Sequence, residues 1–145
     1  MNVSIIENPG LDINDVLIEC GRLSADIEAA AEILRHSGST AIGSIDGVSF
    51  IVRLAEILYF ESVDKNGFFY TDDKVYRTDL RLYEAEENFA AHHFVRISKS
   101  MVVNMLKIDE IAPYLGGRLR LKLINGEYIL VSRQYAQNIR RELGI

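Results

Sequence analysis

The run at residues 94–104, F-V-R-I-S-K-S-M-V-V-N, constrains this chain most. Its apolar residues recur at every second position, the spacing of a strand rather than of a helix. Val95, Ile97, Met101 and Val103 can point into a core, which leaves Arg96, Ser98 and Ser100 on the opposite face. Lys99 breaks the pattern. Strict counting puts it on the apolar side, where an unpaired lysine is rarely found. The strand is therefore expected to end or bend near Ser98 and to leave Lys99 projecting from a loop. A second break occurs at residues 131–135, V-S-R-Q-Y, where Arg133 follows another strand-like run. Loop cations held by a rigid sheet are suited to gripping a polyanion.

From residue 40 onward most of the chain reads the same way. Residues 40–44, 48–53, 57–63, 68–71 and 74–77 are short strand-like runs, punctuated by I-D-G, K-N-G and D-D-K turns. A short helix is expected over 79–89 with Asp79 as its cap. Strands follow over 108–114, 118–124 and 128–131, joined by G-G and N-G turns, and a final helix over 134–143 is capped by Ser132. Ahead of this lies a different segment. Residues 3–6 and 16–20 are β-like, Asn8-Pro9-Gly10 is a turn, and Leu23, Ile27, Ala30, Ala31 and Leu34 make one apolar helical face that stops at His36–Ser39. The expected organisation is a β-β-α extension over 1–40 followed by a mostly β domain over 41–145. Two readings of the helical face stand open: packing on its own strands and the next module, or a surface for dimerisation or a partner.

Charge follows the same division. Residues 1–44 hold two cations against seven acids, net −5, which equals the net charge of the whole chain. Residues 88–145 hold nine cations against four acids, net +5. Local potential rather than the total sets contact with phosphate. A hydrophobic content of 48% supports a real core, and no uncharged stretch approaches the roughly 18 residues of a membrane span. The N-terminus has no basic start and no apolar run of signal-peptide length. The single Cys20 excludes an internal disulfide and a multi-cysteine metal site, and it suits a reducing cytoplasm.

No catalytic constellation emerges. His36 sits at a helix end, where a cation complements the dipole. His92 and His93 are adjacent and diverge in an extended segment, so they suit a connector better than a metal pair. Cys20 falls in an apolar run and reads as core. No phosphate loop, zinc motif or nucleophile elbow is present. The expectation is a protein without enzymatic activity, cofactor, metal or small-molecule substrate. The cations are more suggestive. Lys65 and Asn66 lie in the K-N-G turn, Lys99 in the loop at 98–100, and Arg133 after the last strand. If they share one edge, they can meet base edges, lysine or arginine at guanine and asparagine at adenine. Arg77, Arg96, Arg118 and Arg120, with Ser98, Ser100 and Gln134, would then serve as phosphate contacts. The competing class is a non-enzymatic adaptor acting through its acidic N-terminal helix.

Residues 45–144 resemble the LytTR-type DNA-binding domain. The matching elements are I-L-Y-F-E-S at 57–62, the run at 94–104, I-D-E-I at 108–111, the R-L-R-L-K-L-I-N-G hairpin and V-S-R-Q-Y. The resemblance implies an elongated arrangement of short antiparallel β-strands with little helix, whose loops enter successive major grooves and bend the DNA. It places the reading elements on the Lys65-Asn66-Gly67 turn, on Lys99 and on Arg133. Gly67 stands where relatives often carry a longer base-reading side chain, which shifts that role to Lys65 or Asn66. Asn104 recurs in the family, and its place at a strand end suggests backbone hydrogen bonds at a chain reversal. Residues 1–40 do not look like a receiver domain. The chain therefore resembles the stand-alone bacterial regulators. For these the resemblance implies a cytoplasmic protein on double-stranded promoter DNA, two protomers acting together on direct repeats, and an inhibitory membrane protein encoded nearby.

Overall fold

Two hairpins set the frame. Asp46 and Gly47, at φ 50° and 80°, join β1 (Thr40–Ile45) to β2 (Val48–Arg53). Asp64 and Lys65, at φ 49° and 68°, join β3 (Tyr59–Val63) to β4 (Asn66–Tyr70). Positive φ at both central residues gives the turn whose twist matches that of its strands. The computed structural model describes residues 2–10, 16–36 and 40–145. The chain divides into two units, Met1–Ser37 and Gly38–Ile145.

The first unit carries α1 (Ala25–His36). Ser24 Oγ accepts from the Ile27 N–H at 3.4 Å, and Asp26 and Glu28 lie in the first turn, where carboxylates complement the dipole. The expected turn after Asn8 is present, with Gly10 N–H donating to Asn8 Oδ1 at 3.1 Å. The two strands expected ahead of the helix are a correction: residues 3–6 and 16–20 carry no strand. Two short β-like runs alone make at best a marginal ribbon in water. Cys20, expected in an apolar strand, is exposed. Of the helix stop expected at His36–Ser39, residues 37–39 lie outside the described residues, as does the side chain of His36.

The second unit continues with β5 (Val75–Thr78), α2 (Leu82–Asn88), β6 (Phe94–Arg96), β7 (Met101–Asn104), β8 (Ile108–Tyr114), β9 (Arg118–Leu123), β10 (Tyr128–Val131) and α3 (Ala136–Leu143). Its strands form two antiparallel sheets, ordered β2-β1-β5-β4-β3-β7-β6 and β10-β9-β8. One core holds Ile57, Phe60, Phe69, Phe94 and Val102 with Ala85 and Phe89. The other holds Leu58, Tyr59, Ile97 and Val103 with Leu121, Val131 and Ile139. Neighbours Tyr59 and Phe60 thus enter different cores, as do Val102 and Val103. Strands β3 and β7 are buried on both faces, which is why I-L-Y-F and M-V-V read as continuous apolar runs.

The fold class read from the sequence, mostly antiparallel β with few short helices, holds. The expected break in 94–104 is real: β6 ends at Arg96, and Ile97 N–H closes the loop on Met101 O at 3.0 Å. Asn104 is buried; its Nδ2 donates to Ile57 O and its Oδ1 accepts from Leu106 N–H, both at 3.0 Å. Two helix starts differ from expectation. Helix α2 begins at Leu82, where Glu84 Oε1 accepts from Arg81 N–H at 3.1 Å, so Asp79 is not its cap. Helix α3 begins at Ala136, and Ser132 holds the turn before it through its carbonyl, which accepts from Tyr135 N–H at 3.0 Å.

Candidate nucleic-acid interface

The three expected reading elements lie side by side, joined by two backbone hydrogen bonds. Strand β3 pairs with β7 up to Glu61 opposite Met101. The ladder then continues one step further, with Ser62 N–H donating to Ser100 O at 2.9 Å. The loop carrying Lys99 therefore flanks the end of β3, next to the Asp64-Lys65 turn. On its other side, Ser132 N–H donates to Ile97 O at 2.9 Å, which sets Arg133 beside the same loop. Ile97 is fully buried and roots the loop in the second core. Lys65, Lys99 and Arg133 are all exposed. Among the described residues none of the three pairs with a carboxylate.

The K-N-G turn is in fact a D-K turn, for Asn66 and Gly67 already belong to β4. Asn66 is half-buried; its Oδ1 accepts from Arg77 at 2.7 Å and its Nδ2 donates to Asp64 O at 3.4 Å. Gly67 faces the carbonyls of Thr78 and Leu80, which a Cβ would approach to 2.8 and 2.9 Å. A longer side chain cannot stand at that position without moving backbone. Beside the turn lies a cleft of about 240 Å³, lined by Lys65, Arg77 and Arg81 with Asp79 as its acid. Arg133 lays its stem over Gly117, whose absent Cβ would meet Arg133 Cγ at 3.1 Å.

The expected phosphate set divides. Arg118 and Arg120 stand on the outer face of β9, over the rings of Tyr114 and Tyr128 at 4.9 and 4.8 Å. Lys122 joins them, 6.0 Å from the Tyr128 ring and 3.9 Å from Glu110. Alternation in R-L-R-L-K-L carried the signal for Lys122, and sequence reading passed it over. Gln134 is exposed beside Arg133. Arg96 is different. Its side chain is 16% exposed, and its guanidinium donates to Ser98 O and Lys99 O at 2.6 Å each and to Glu86 at 3.2 Å. Ser98 and Ser100 also bond within the loop, with Ser100 N–H donating to Ser98 Oγ at 3.2 Å. Arg81, lining the cleft beside the turn, and Glu86, paired with Arg96, had no sequence signal.

No cluster of metal-ligating side chains occurs among the described residues, nor any helix long and apolar enough to cross a membrane. Two tyrosines fix the opposite flank. Tyr59 donates to Glu127 at 3.0 Å and Tyr70 to Glu61 at 2.8 Å, with their rings stacked 4.4 Å apart. Burial first, then the bond to Glu61, pushes the Tyr70 phenol up to about 12; the same causes raise Tyr59, with Glu127 as its acceptor.

The two-sheet fold and its sequence are matched by known proteins. The family model described as the LytTr DNA-binding domain matches residues 47–144. The chain belongs to that family. An uncharacterized HTH-type transcriptional regulator of Staphylococcus aureus strain COL is 33% identical over 106 residues, 73% of this chain and 71% of that protein. A counterpart in a bovine strain matches to the same extent. The solved LytTr DNA-binding domain of a putative methyl-accepting/DNA response regulator from Bacillus cereus superposes with a TM-score of 0.70 at 26% identity, covering 74% of this chain and 98% of that one. The helix-turn-helix in the relatives' name has no counterpart in the described part of the second unit, where five strands separate α2 from α3.

Proposed function

We propose that this protein is a sequence-specific transcription regulator of the cytoplasm that reads promoter DNA with the ridge Lys65–Lys99–Arg133. Family membership supports DNA as the ligand. The observation that carries the assignment to this edge is the pair of backbone bonds, Ser62 to Ser100 and Ile97 to Ser132, that hold the three loops abreast. Long cationic side chains on such a ridge reach guanine O6 and N7 in the major groove. Lys65 takes the reading role of the first loop, since the amide of Asn66 is engaged by Arg77 and Asp64. Arg77, Arg118, Arg120 and Gln134 suit phosphates, which position the protein without specifying sequence. Two protomers on direct repeats, with bending that costs a few kcal/mol offset by added contacts, complete the proposal.

Gel shifts on promoter and scrambled duplexes at two salt concentrations test it. Binding should prefer the promoter and fall steeply with salt. Arg133→Ala should cost about 1–3 kcal/mol on the promoter and relax preference at one base position. Equal loss on both duplexes, or no loss, refutes the role of Arg133. No shift at either salt concentration favours the adaptor alternative.

A further inference from the structure

Arg96 is placed as a phosphate contact by its position in the strand pattern, yet its geometry points elsewhere. All three guanidinium nitrogens are engaged within the protein. Nε and Nη2 each hold one carbonyl of the reading loop, Ser98 O and Lys99 O, at 2.6 Å. Nη1 meets Glu86 of α2 at 3.2 Å. The guanidinium carbon lies 5.9 Å from the Tyr135 ring, in the turn that follows Arg133. The backbone of the same residue reaches α3, because Asn138 Nδ2 donates to Arg96 O at 3.4 Å. One planar guanidinium therefore bonds the Lys99 loop and helix α2 and lies over the Tyr135 ring of the Arg133 turn.

We propose that Arg96, anchored by Glu86, is a positioning residue that sets Lys99 in register with Arg133, and that Glu86 is a determinant of base specificity although it is an acid and touches no DNA. The inference rests on the DNA-reading role of the ridge. The loop at 97–101 is short, and one backbone bond from Ile97 to Met101 closes it. Two carbonyl contacts from a fixed fork hold its crest, and Glu86 holds the fork. Lysine supplies the charge but not the fork. Were Arg96 a phosphate contact instead, its loss would weaken binding to every sequence and lower the salt slope by about 1.

The test uses the full chain and three variants, Arg96→Lys, Arg96→Gln and Glu86→Ala, with thermal unfolding to identify variants that remain folded. The readouts are the promoter-to-scrambled affinity ratio, the salt slope, and amide hydrogen exchange of residues 98–100 without DNA. Expected for Arg96→Lys is a roughly tenfold fall in the ratio at an unchanged slope. Glu86→Ala should lower the ratio severalfold with no loss of affinity for scrambled DNA, since an acid has been removed. Exchange in the loop should quicken in both. An unchanged ratio with slow exchange overturns the inference, and so does a slope lowered by about 1 in Arg96→Gln with its ratio intact. A merely structural role would lower the melting temperature without moving the ratio of the folded protein. If the parent shows no promoter preference, the DNA-reading role itself fails. Slow exchange in Arg96→Lys would then count separately against the loop-holding role.

Discussion

Asn104→Leu isolates one buried side chain that ties the chain reversal after β7. Asn104 is 2% exposed, and each end of its amide bonds backbone, Ile57 O and Leu106 N–H at 3.0 Å. Leucine has the same branched outline and a somewhat larger volume, so it leaves no cavity. What is lost is satisfaction of two backbone groups. Ile57 is 0% exposed, so its carbonyl loses its amide partner in the interior at a cost of about 1–3 kcal/mol. Leu106 is 68% exposed, so its N–H can turn to water and loses only a net bond of about 0.5–1.5 kcal/mol. The total is about 1.5–4.5 kcal/mol, or about 6–18 °C in Tm for a domain of this size. Urea unfolding should show a lower midpoint at unchanged slope. Asn104→Asp sharpens the test. A carboxylate can still accept from Leu106 N–H, but its other oxygen faces the Ile57 carbonyl, and only the protonated acid can donate there. The folded-state pKa of that carboxyl is then raised above the unfolded value of about 3.9. Stability is fully present below that value and is lost as pH rises through the folded pKa. The deficit of the Asp variant should therefore grow from acidic to neutral pH. A leucine variant within 0.5 kcal/mol of the parent, or an aspartate deficit flat with pH, refutes the role given to Asn104.

Two further outcomes follow from the hairpin and the tyrosines. Lys65 sits at φ 68°, a conformation that costs an L-residue roughly 1–2 kcal/mol, part of which glycine would return as chain entropy. Lys65→Gly should gain about 0.5 kcal/mol in urea unfolding while its promoter-to-scrambled affinity ratio falls, as loss of a base-reading side chain requires; stability and binding lost together would contradict a strained functional turn. Tyr70 is pushed up to about 12 and Tyr59 is raised with it, so both phenols are held neutral in the folded state. Their contribution is complete below the unfolded value of about 10 and is lost as pH rises toward 12. Phenolate absorbance should show these two ionising well above the ordinary phenol value of about 10, and stability should decline over that window. Early titration of all seven tyrosines would show that neither phenol is held neutral.

The strands were legible because their signals are local. Residues 48–53, 108–114 and 128–131 read correctly to both ends, since alternation and turn residues bound each one. The bend after Arg96 was legible from Lys99 alone, a charge that could not follow its strand into the core. Asn104 was legible from its place at a strand end. Helix starts were less so: the sequence offers Asp79 and Ser132 as caps, but α2 begins at Leu82, where Glu84 meets the Arg81 N–H, and α3 begins at Ala136. The N-terminal β-like runs misled because propensity without a neighbouring strand does not make a sheet. In the candidate site, the cations were visible and their pairing was not. Arg96 and Arg118 look alike in sequence. Only the fold shows that one is gripped by Ser98, Lys99 and Glu86 while the other, its Nε on Leu115 O, lies over Tyr114 on an outer face.

Tethered cleavage measures the ridge most directly. In a Cys20→Ser background, Asp64→Cys, Ser100→Cys and Gln134→Cys each carry an iron chelate beside, but not on, Lys65, Lys99 and Arg133. On the promoter duplex the three sets of cuts should fall on one side of the DNA within about two helical turns, roughly 20 base pairs, in the order of the loops. Cuts from any one position that scatter along the duplex, or are missing while the other two cut, would contradict a single ridge meeting DNA at once.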